Sequence, residues 1–398
     1  MKITRIDCHV LLDPDFDPEA TSSSQDDIVV EVHTDEGIVG LGETDLNAWV
    51  ARALLEAPGT HTMDRGLGTV LVGMDPLDPP AVWEALYVAT AMTGRRGAGI
   101  HAMGAIDMAL WDICGKTAGV PVWKLLGEQA HDRLKPYASL MPQVTTFDEY
   151  LPAMVELVLG SQALGFEAAK LEIILDGPYA NMGIRESDQR ATEVVAAVRQ
   201  AVGPGFDLMV DVGYAFDSVD RATRVLESWE QFDLFFVETP LWVDDLDGYA
   251  ELARRAPMKI AAGEWLATRF EFEELIDHGM IAIAQPDIGR VGGLTEARRV
   301  CELAYERGRL VVPHAWKTGI SVSAAAQLAA VTAHCPTFEF LPSQLAESAL
   351  RRELVVDELE LVDGRLSLPR RAGLGVELNR DAFDRFKEAG SAITTAVQ

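Results

Sequence analysis

The sequence predicts an α/β protein in which a (β/α)8 barrel is joined to a smaller α+β unit. Three observations carry this prediction. After Pro136, eight short apolar runs recur (PYASL, EAAKLEII, DLMVDV, LFFVE, KIAAGE, IAIAQPD, RLVVPH and TFEFL), each followed by a helical stretch. Their polar ends at Lys170, Asp211, Glu238, Glu264, Asp287, His314 and Glu339 are separated by 41 residues and then by 27, 26, 23, 27 and 25, the length of one βα unit. Ahead of them, Asp27 to Glu43 alternates β-branched and polar residues around Asp35-Glu36-Gly37, as an antiparallel hairpin does.

In chain order, the hairpin opens a unit that extends to about residue 130. From Asp75 to Leu126 its pattern is helical, with Ala102, Ala105, Ile106, Ala109 and Ile113 at three- to four-residue spacing and Gly115 and Gly119 near the end. Residues 131–345 hold the eight runs and are assigned to the barrel. Residues 346–398 contain further strand-like alternation from Glu358 to Leu368 and read as a return to the first unit.

Composition narrows the function. With 34 basic and 62 acidic side chains, a net charge of −28 makes nucleic acid and anionic membrane surfaces poor partners. The chain is 48% hydrophobic and 24% charged, as in a folded globular protein, and no apolar run reaches the ~18 residues of a membrane span. The N-terminus lacks the apolar core of a signal peptide, and Cys8, Cys114, Cys301 and Cys335 form no CxxC pair. A cytoplasmic protein with free thiols is expected.

Chemistry is expected where the barrel strands end, because those ends share one mouth. Asp211, Glu238 and Glu264 terminate successive runs. Three carboxylates brought together repel one another unless a cation separates them, and hard oxygen ligands suit Mg2+. Asp287 and His314 end the next two runs, side by side. A carboxylate on one imidazole nitrogen fixes the tautomer and raises the basicity of the other, as a general base requires. Glu339 ends the eighth run, where it could donate a hydrogen bond if protonated or accept one from a ligand. Across the barrel, Lys170 and Glu172 share one face of a strand, and the lysine could supply positive charge for developing enolate oxygens.

These motifs resemble the enolase superfamily, within it the mandelate racemase subgroup. The resemblance runs from DEGIVGLGE through AIDMALWDICGKTAGVPVWKLLG to DGRLSLPRRAGLGVEL. It implies a modified (β/α)7β TIM barrel under an α+β capping domain built from both chain ends. It also implies that Asp211 in VDV, Glu238 in VETP and Glu264 in AGEW are Mg2+ ligands. Asp287 in QPD and His314 in VPH correspond to the family's dyad, Glu339 in FEF to the acid that hydrogen-bonds the substrate carboxylate. A homo-oligomer is implied by family habit.

One departure from the family pattern is informative. Racemases of this kind carry Lys-x-Lys on the second strand, whereas this chain has Lys170-Leu171-Glu172. Lactonising and dipeptide-epimerising relatives carry a lysine on the sixth strand, where this chain continues Ile288-Gly289-Arg290. With one base in place, the expected activity is Mg2+-dependent dehydration of an acid sugar to a 2-keto-3-deoxy acid, with His314 as base and His314 or Glu172 as acid. The alternatives are a racemase or epimerase using Glu172 as second base, and a non-catalytic metal-binding relative. The stretch Asp13 to Asp27, with six acidic side chains, reads as a lid or as a solvated loop; as a lid it would favour monoacid over diacid sugars. Trp316 and Lys317 are either pocket residues or loop packing.

Overall fold

The small sheet forms where the sequence alternates. In the computed structural model, which describes residues 1–18 and 20–393, β1 (Ile3–Leu12), β2 (Asp26–Thr34) and β3 (Val39–Thr44) pair antiparallel in that order. The turn between β2 and β3 passes through Gly37 at φ +80°, a conformation that favours glycine. Ile28, Val30 and Val32 are buried with the helix Ala98–Ala118, whose Ala102, Ala105, Ile106, Ala109 and Ile113 are buried as the spacing predicts.

Two glycines of β3 decide how closely that helix lies. A Cβ on Gly42 would stand 2.0 Å from the carbonyl oxygen of Ala105, and one on Gly40 2.0 Å from that of Ala109. Gly119 ends the helix at φ +68°, donating back to Gly115 and Lys116. Gly115 itself lies inside the helix, and its missing Cβ leaves room for Gly373, whose Cα would be 2.6 Å away.

The barrel follows β4 (Arg133–Leu134). Its strands are β5 (Pro136–Leu140), β6 (Ala168–Glu172), β7 (Asp207–Asp211), β8 (Leu234–Glu238), β9 (Lys259–Ala262), β10 (Ile283–Ala284), β11 (Leu310–Val311) and β12 (Phe338–Phe340). They pair in parallel in the order β11-β10-β9-β8-β7-β6-β5-β12, so the last strand joins the first and the sheet curls on itself. Helices follow β5 through β11, the last being Gly319–Ala329, which leads into β12; this is the (β/α)7β pattern. Amphipathic sequence places them outside, as in Val219–Trp229, which buries Ala222, Val225, Leu226 and Trp229 against the sheet. The 41-residue separation after Lys170 includes a long loop ahead of the helix Asp188–Val202, and that loop carries Ile174 and Tyr179 to the barrel mouth.

Residues 346–393 divide between two places. The hairpin β13 (Leu361–Val362) and β14 (Arg365–Ser367) pairs with β4 at the start of the barrel, not with the cap sheet. The helix Arg380–Ala392 returns to β1, with Phe383 against His9 at 5.1 Å and Phe386 buried. Glu19 and residues 394–398, at the end of the segment predicted to return, lie outside the described residues. Among the described residues no helix is long and apolar enough to cross a membrane.

Candidate active site

At the barrel mouth, β7, β8 and β9 bring Asp211, Glu238 and Glu264 together, with one oxygen of each within 4.8 Å of the others. Each has a fixed orientation. Asp211 Oδ1 accepts from Gly213 N at 2.8 Å and Thr239 Oγ1 at 2.6 Å. Glu238 Oε2 accepts from Gln285 Nε2 at 2.6 Å, and Glu264 Oε1 from the Tyr214 hydroxyl at 3.1 Å. Burial, with neighbouring Asp211 and Glu339, pushes Glu238 up to about 8 despite the Lys170 ammonium; Glu264 is raised as well, again chiefly by burial. An all-carboxylate cluster under this electrostatic load is a donor set that fits a hard divalent cation.

Lys170, on β6, is buried in the same cluster. Its Nζ lies 2.8 Å from Glu339 Oε1, 2.9 Å from Glu238 Oε1, 3.4 Å from Glu172 Oε1 and 3.7 Å from Asp211 Oδ2. Burial alone would lower its pKa, but Glu172, Glu238 and Glu339 outweigh burial and hold the ammonium charged. Glu172 accepts from Ser139 Oγ at 2.9 Å, and burial with Asp211 and Glu238 pushes its carboxyl well above the usual range despite Lys170. Glu339 goes the other way. It accepts from Ala315 N at 2.7 Å and, despite burial, Lys170 and His314 bring it down to about 2, so here it is an acceptor rather than a donor.

Asp287 and His314 extend β10 and β11 as an isolated parallel bridge. His314 Nδ1 lies 2.6 Å from Asp287 Oδ2, and Nε2 lies 3.2 Å from Glu264 Oε2. Burial opposes charge on the imidazole, yet Glu339, Asp287 and Glu264 carry it up to about 9. The cavity above these groups has a volume of about 140 Å³ and is lined by Lys170, Glu172, Asp211, Glu264, His314 and Trp316 among others. Glu238, Asp287 and Glu339 stand behind this wall, fully buried.

The cap closes the mouth. Of the stretch Asp13 to Asp27, Pro14 to Pro18 are exposed, whereas Ser22 to Gln25 form a strap: Trp316 Nε1 donates to Ser22 Oγ at 3.3 Å and Lys317 Nζ to the Ser23 carbonyl at 2.5 Å. Asp45, just past β3, holds two barrel cations: Arg290, and Lys317 at 3.0 Å. Glu43 accepts from Thr318 Oγ1 at 2.5 Å and Ser321 N at 2.7 Å, tying the cap to the N-terminus of the helix after β11.

Sequence reasoning missed several pocket residues. Tyr214 follows Gly213, and both have positive φ (+62° and +52°), which turns the chain so that the tyrosine reaches Glu264. Arg290 follows Asp287 by three residues; the Asp287 carboxylate accepts from its amide at 3.1 Å and caps the helix Ile288–Val291. A cation one helical turn beyond a candidate orienting acid is a signal the sequence does carry. Nothing in the periodicity marks Gln285, Trp265 or His101.

Barrel, cap and carboxylate cluster together define a two-domain α/β-barrel protein whose mouth could hold a divalent cation. Residues 12–127 match the mandelate racemase / muconate lactonizing enzyme N-terminal domain, and residues 153–382 match the enolase C-terminal domain-like family. The chain belongs to the enolase superfamily, in its mandelate racemase subgroup. It is 31% identical to D-galactarolactone cycloisomerase of Agrobacterium fabrum over 398 residues, covering 97% of this chain and 99% of that one. It is 34% identical to L-rhamnonate dehydratase of Saccharopolyspora erythraea, covering 88% and 83%. The solved 3,6-anhydro-D-galactonate cycloisomerase from Zobellia galactanivorans superposes with a TM-score of 0.83 at 29% identity, covering 97% and 99%.

Proposed function

We propose that this protein is a Mg2+-dependent acid sugar dehydratase. The observation that carries the reading is the meeting, at one buried mouth, of a three-carboxylate cluster with the Asp287–His314 pair. Asp211, Glu238 and Glu264 would hold the cation. When bound, Mg2+ supplies positive charge that offsets these carboxylates and stabilises negative charge developing on the substrate carboxylate.

The chain's own groups do the proton work. A cation held by Glu264 would offset one of the carboxylates that raise His314. Its Nδ1 donates to Asp287, which leaves the Nε2 lone pair to take the proton α to the carboxylate. Lys170 places an ammonium beside the enediolate oxygens, anchored by Glu339. The electron pair left by the α-proton expels the β-hydroxyl, which leaves as water with a proton from His314 or from Glu172. The enol that remains ketonises to a 2-keto-3-deoxy acid.

A second reading has specific support, since two relatives are named cycloisomerases. In it the same α-proton is removed but a ring oxygen is expelled, so the product keeps the formula of the substrate. A panel of acid sugars and their lactones, incubated with protein and Mg2+, separates the two. Keto-acid formation with loss of one water by mass spectrometry supports dehydration. A keto acid of unchanged mass supports cycloisomerisation, and inversion at C2 without a keto acid overturns both in favour of epimerisation.

A further inference from the structure

The catalytic cavity, at about 140 Å³, is smaller than the ~300 Å³ at which ligand pockets usually begin. It does not stand alone. Ser22, Ser23, Trp265 and Arg290 line both this cavity and a second, larger cleft of about 690 Å³ between cap and barrel. A substrate that reacts at His314 therefore has somewhere to put its distal end, and the walls of the cleft say what that end is.

Much of the wall is apolar, from Leu12, Phe16, Leu46, Trp49 and Ile393. Phe16 and Ile393 are 38% and 39% exposed, so they present free apolar surface. Charge points the same way. The guanidinium of Arg290 is already paired with Asp45 and donates to the Glu264 carbonyl at 3.3 Å. The two acids on the wall, Asp26 and Asp45, are themselves paired with Lys317 at 3.6 and 3.0 Å. A second substrate carboxylate would meet no uncompensated cation on this wall.

One buried polar group on the wall is uncommitted among the described residues. Both ring nitrogens of His101 are buried, and neither has a hydrogen-bond partner among the described residues. Burial and the Arg290 charge bring its pKa down to about 4, so the ring is neutral, with one N–H donor and one acceptor. That pair suits a hydroxyl, which both donates and accepts.

We infer that the substrate is a monoacid whose distal end is neutral, presents an apolar face and carries a hydroxyl for His101, as a glycosyl-substituted aldonate does. This inference rests on the dehydratase reading for the reacting end. The test compares three acids with the same configuration at C2 to C4: an aldonate, its dicarboxylic counterpart, and the aldonate bearing a sugar ring on a distal carbon. Binding with Mg2+ present is followed by tryptophan fluorescence, since Trp49 and Trp265 line the cleft, and turnover by keto-acid release. The ring-bearing acid should exceed the plain aldonate by about tenfold in both affinity and kcat/KM, with the diacid weakest. His101→Ala should lower kcat/KM for the ring-bearing acid about tenfold, chiefly through KM, and leave the plain aldonate within about twofold. His101→Asn, which keeps a donor and an acceptor, should recover part of the loss. Preference for the diacid, or equal losses for both acids in His101→Ala, overturns the inference. If the ring-bearing acid binds best but no acid is turned over, the dehydratase reading fails while the preference of the cleft stands.

Discussion

His314 Nδ1 and Asp287 Oδ2 lie 2.6 Å apart across the bridge that continues β10 and β11. The other Asp287 oxygen accepts from the amides of Gly289 at 2.7 Å and Arg290 at 3.1 Å. The carboxylate is thus fixed by backbone on one side and commits the imidazole tautomer on the other. Nε2 is the nitrogen left facing the cavity side of the site, towards Glu264.

If His314 is the base, as proposed, its removal should stop abstraction of the α-proton. His314→Asn should abolish both water loss and exchange of the α-proton with solvent deuterium, read by NMR, while Mg2+ binding persists. Asp287→Asn should lower kcat by about 10²- to 10⁴-fold, the usual range for general base catalysis. Glu172→Gln should slow water loss but retain exchange if Glu172 is the acid. The reverse pattern, exchange lost in Glu172→Gln and kept in His314→Asn, places the base on β6.

The carboxylate cluster predicts metal dependence. EDTA should remove activity and Mg2+ restore it. Glu238→Gln, which replaces an anionic oxygen by a neutral amide, should weaken Mg2+ binding at least about tenfold by titration calorimetry. Unchanged affinity would remove Glu238 from the ligand set.

Stability should fall with rising pH, and metal should blunt that fall. Glu238 is raised from 4.5 to about 8 and His314 from 6.5 to about 9. A group with a raised folded pKa stabilises fully below its unfolded value and loses that contribution as pH rises through the folded one. In EDTA, the melting temperature should therefore fall between about pH 4.5 and 9, and saturating Mg2+ should flatten the fall by replacing protons as the counter-charge. Identical profiles with and without metal would contradict this account of the cluster.

The cap is seated through glycine. Gly42→Ala would drive a methyl into the Ala105 carbonyl, since the ideal Cβ lies 2.0 Å from that oxygen. Unfolding in urea should show a loss of about 3 kcal/mol or more, at the upper end for overpacking. At Gly37, where a Cβ meets nothing within 4 Å, the same change should cost only the backbone strain of its positive φ. Equal losses at the two sites would show that helix contact is not what Gly42 serves.

Much of this protein was legible in one dimension. Alternation of period two located the cap hairpin, spacing near 25 residues located the barrel strands, and barrel topology sends every strand end to one mouth. That is why Lys170, Asp211, Glu238, Glu264, Asp287, His314 and Glu339 could be named before any coordinates, and why those seven lie together at the mouth. What the tertiary structure alone decided is set by how the cap sits on the barrel. Asp45 meets Arg290 across 245 residues of sequence, Trp316 meets Ser22 across 294, and His101 leaves an apolar helix face to line the cleft. The low pKa of Glu339 follows from Lys170 and His314, the raised pKa of Glu172 from burial beside Asp211 and Glu238, and the spent charge of Arg290 from Asp45. Such states depend on burial and on partners from other elements, and no local spacing encodes either.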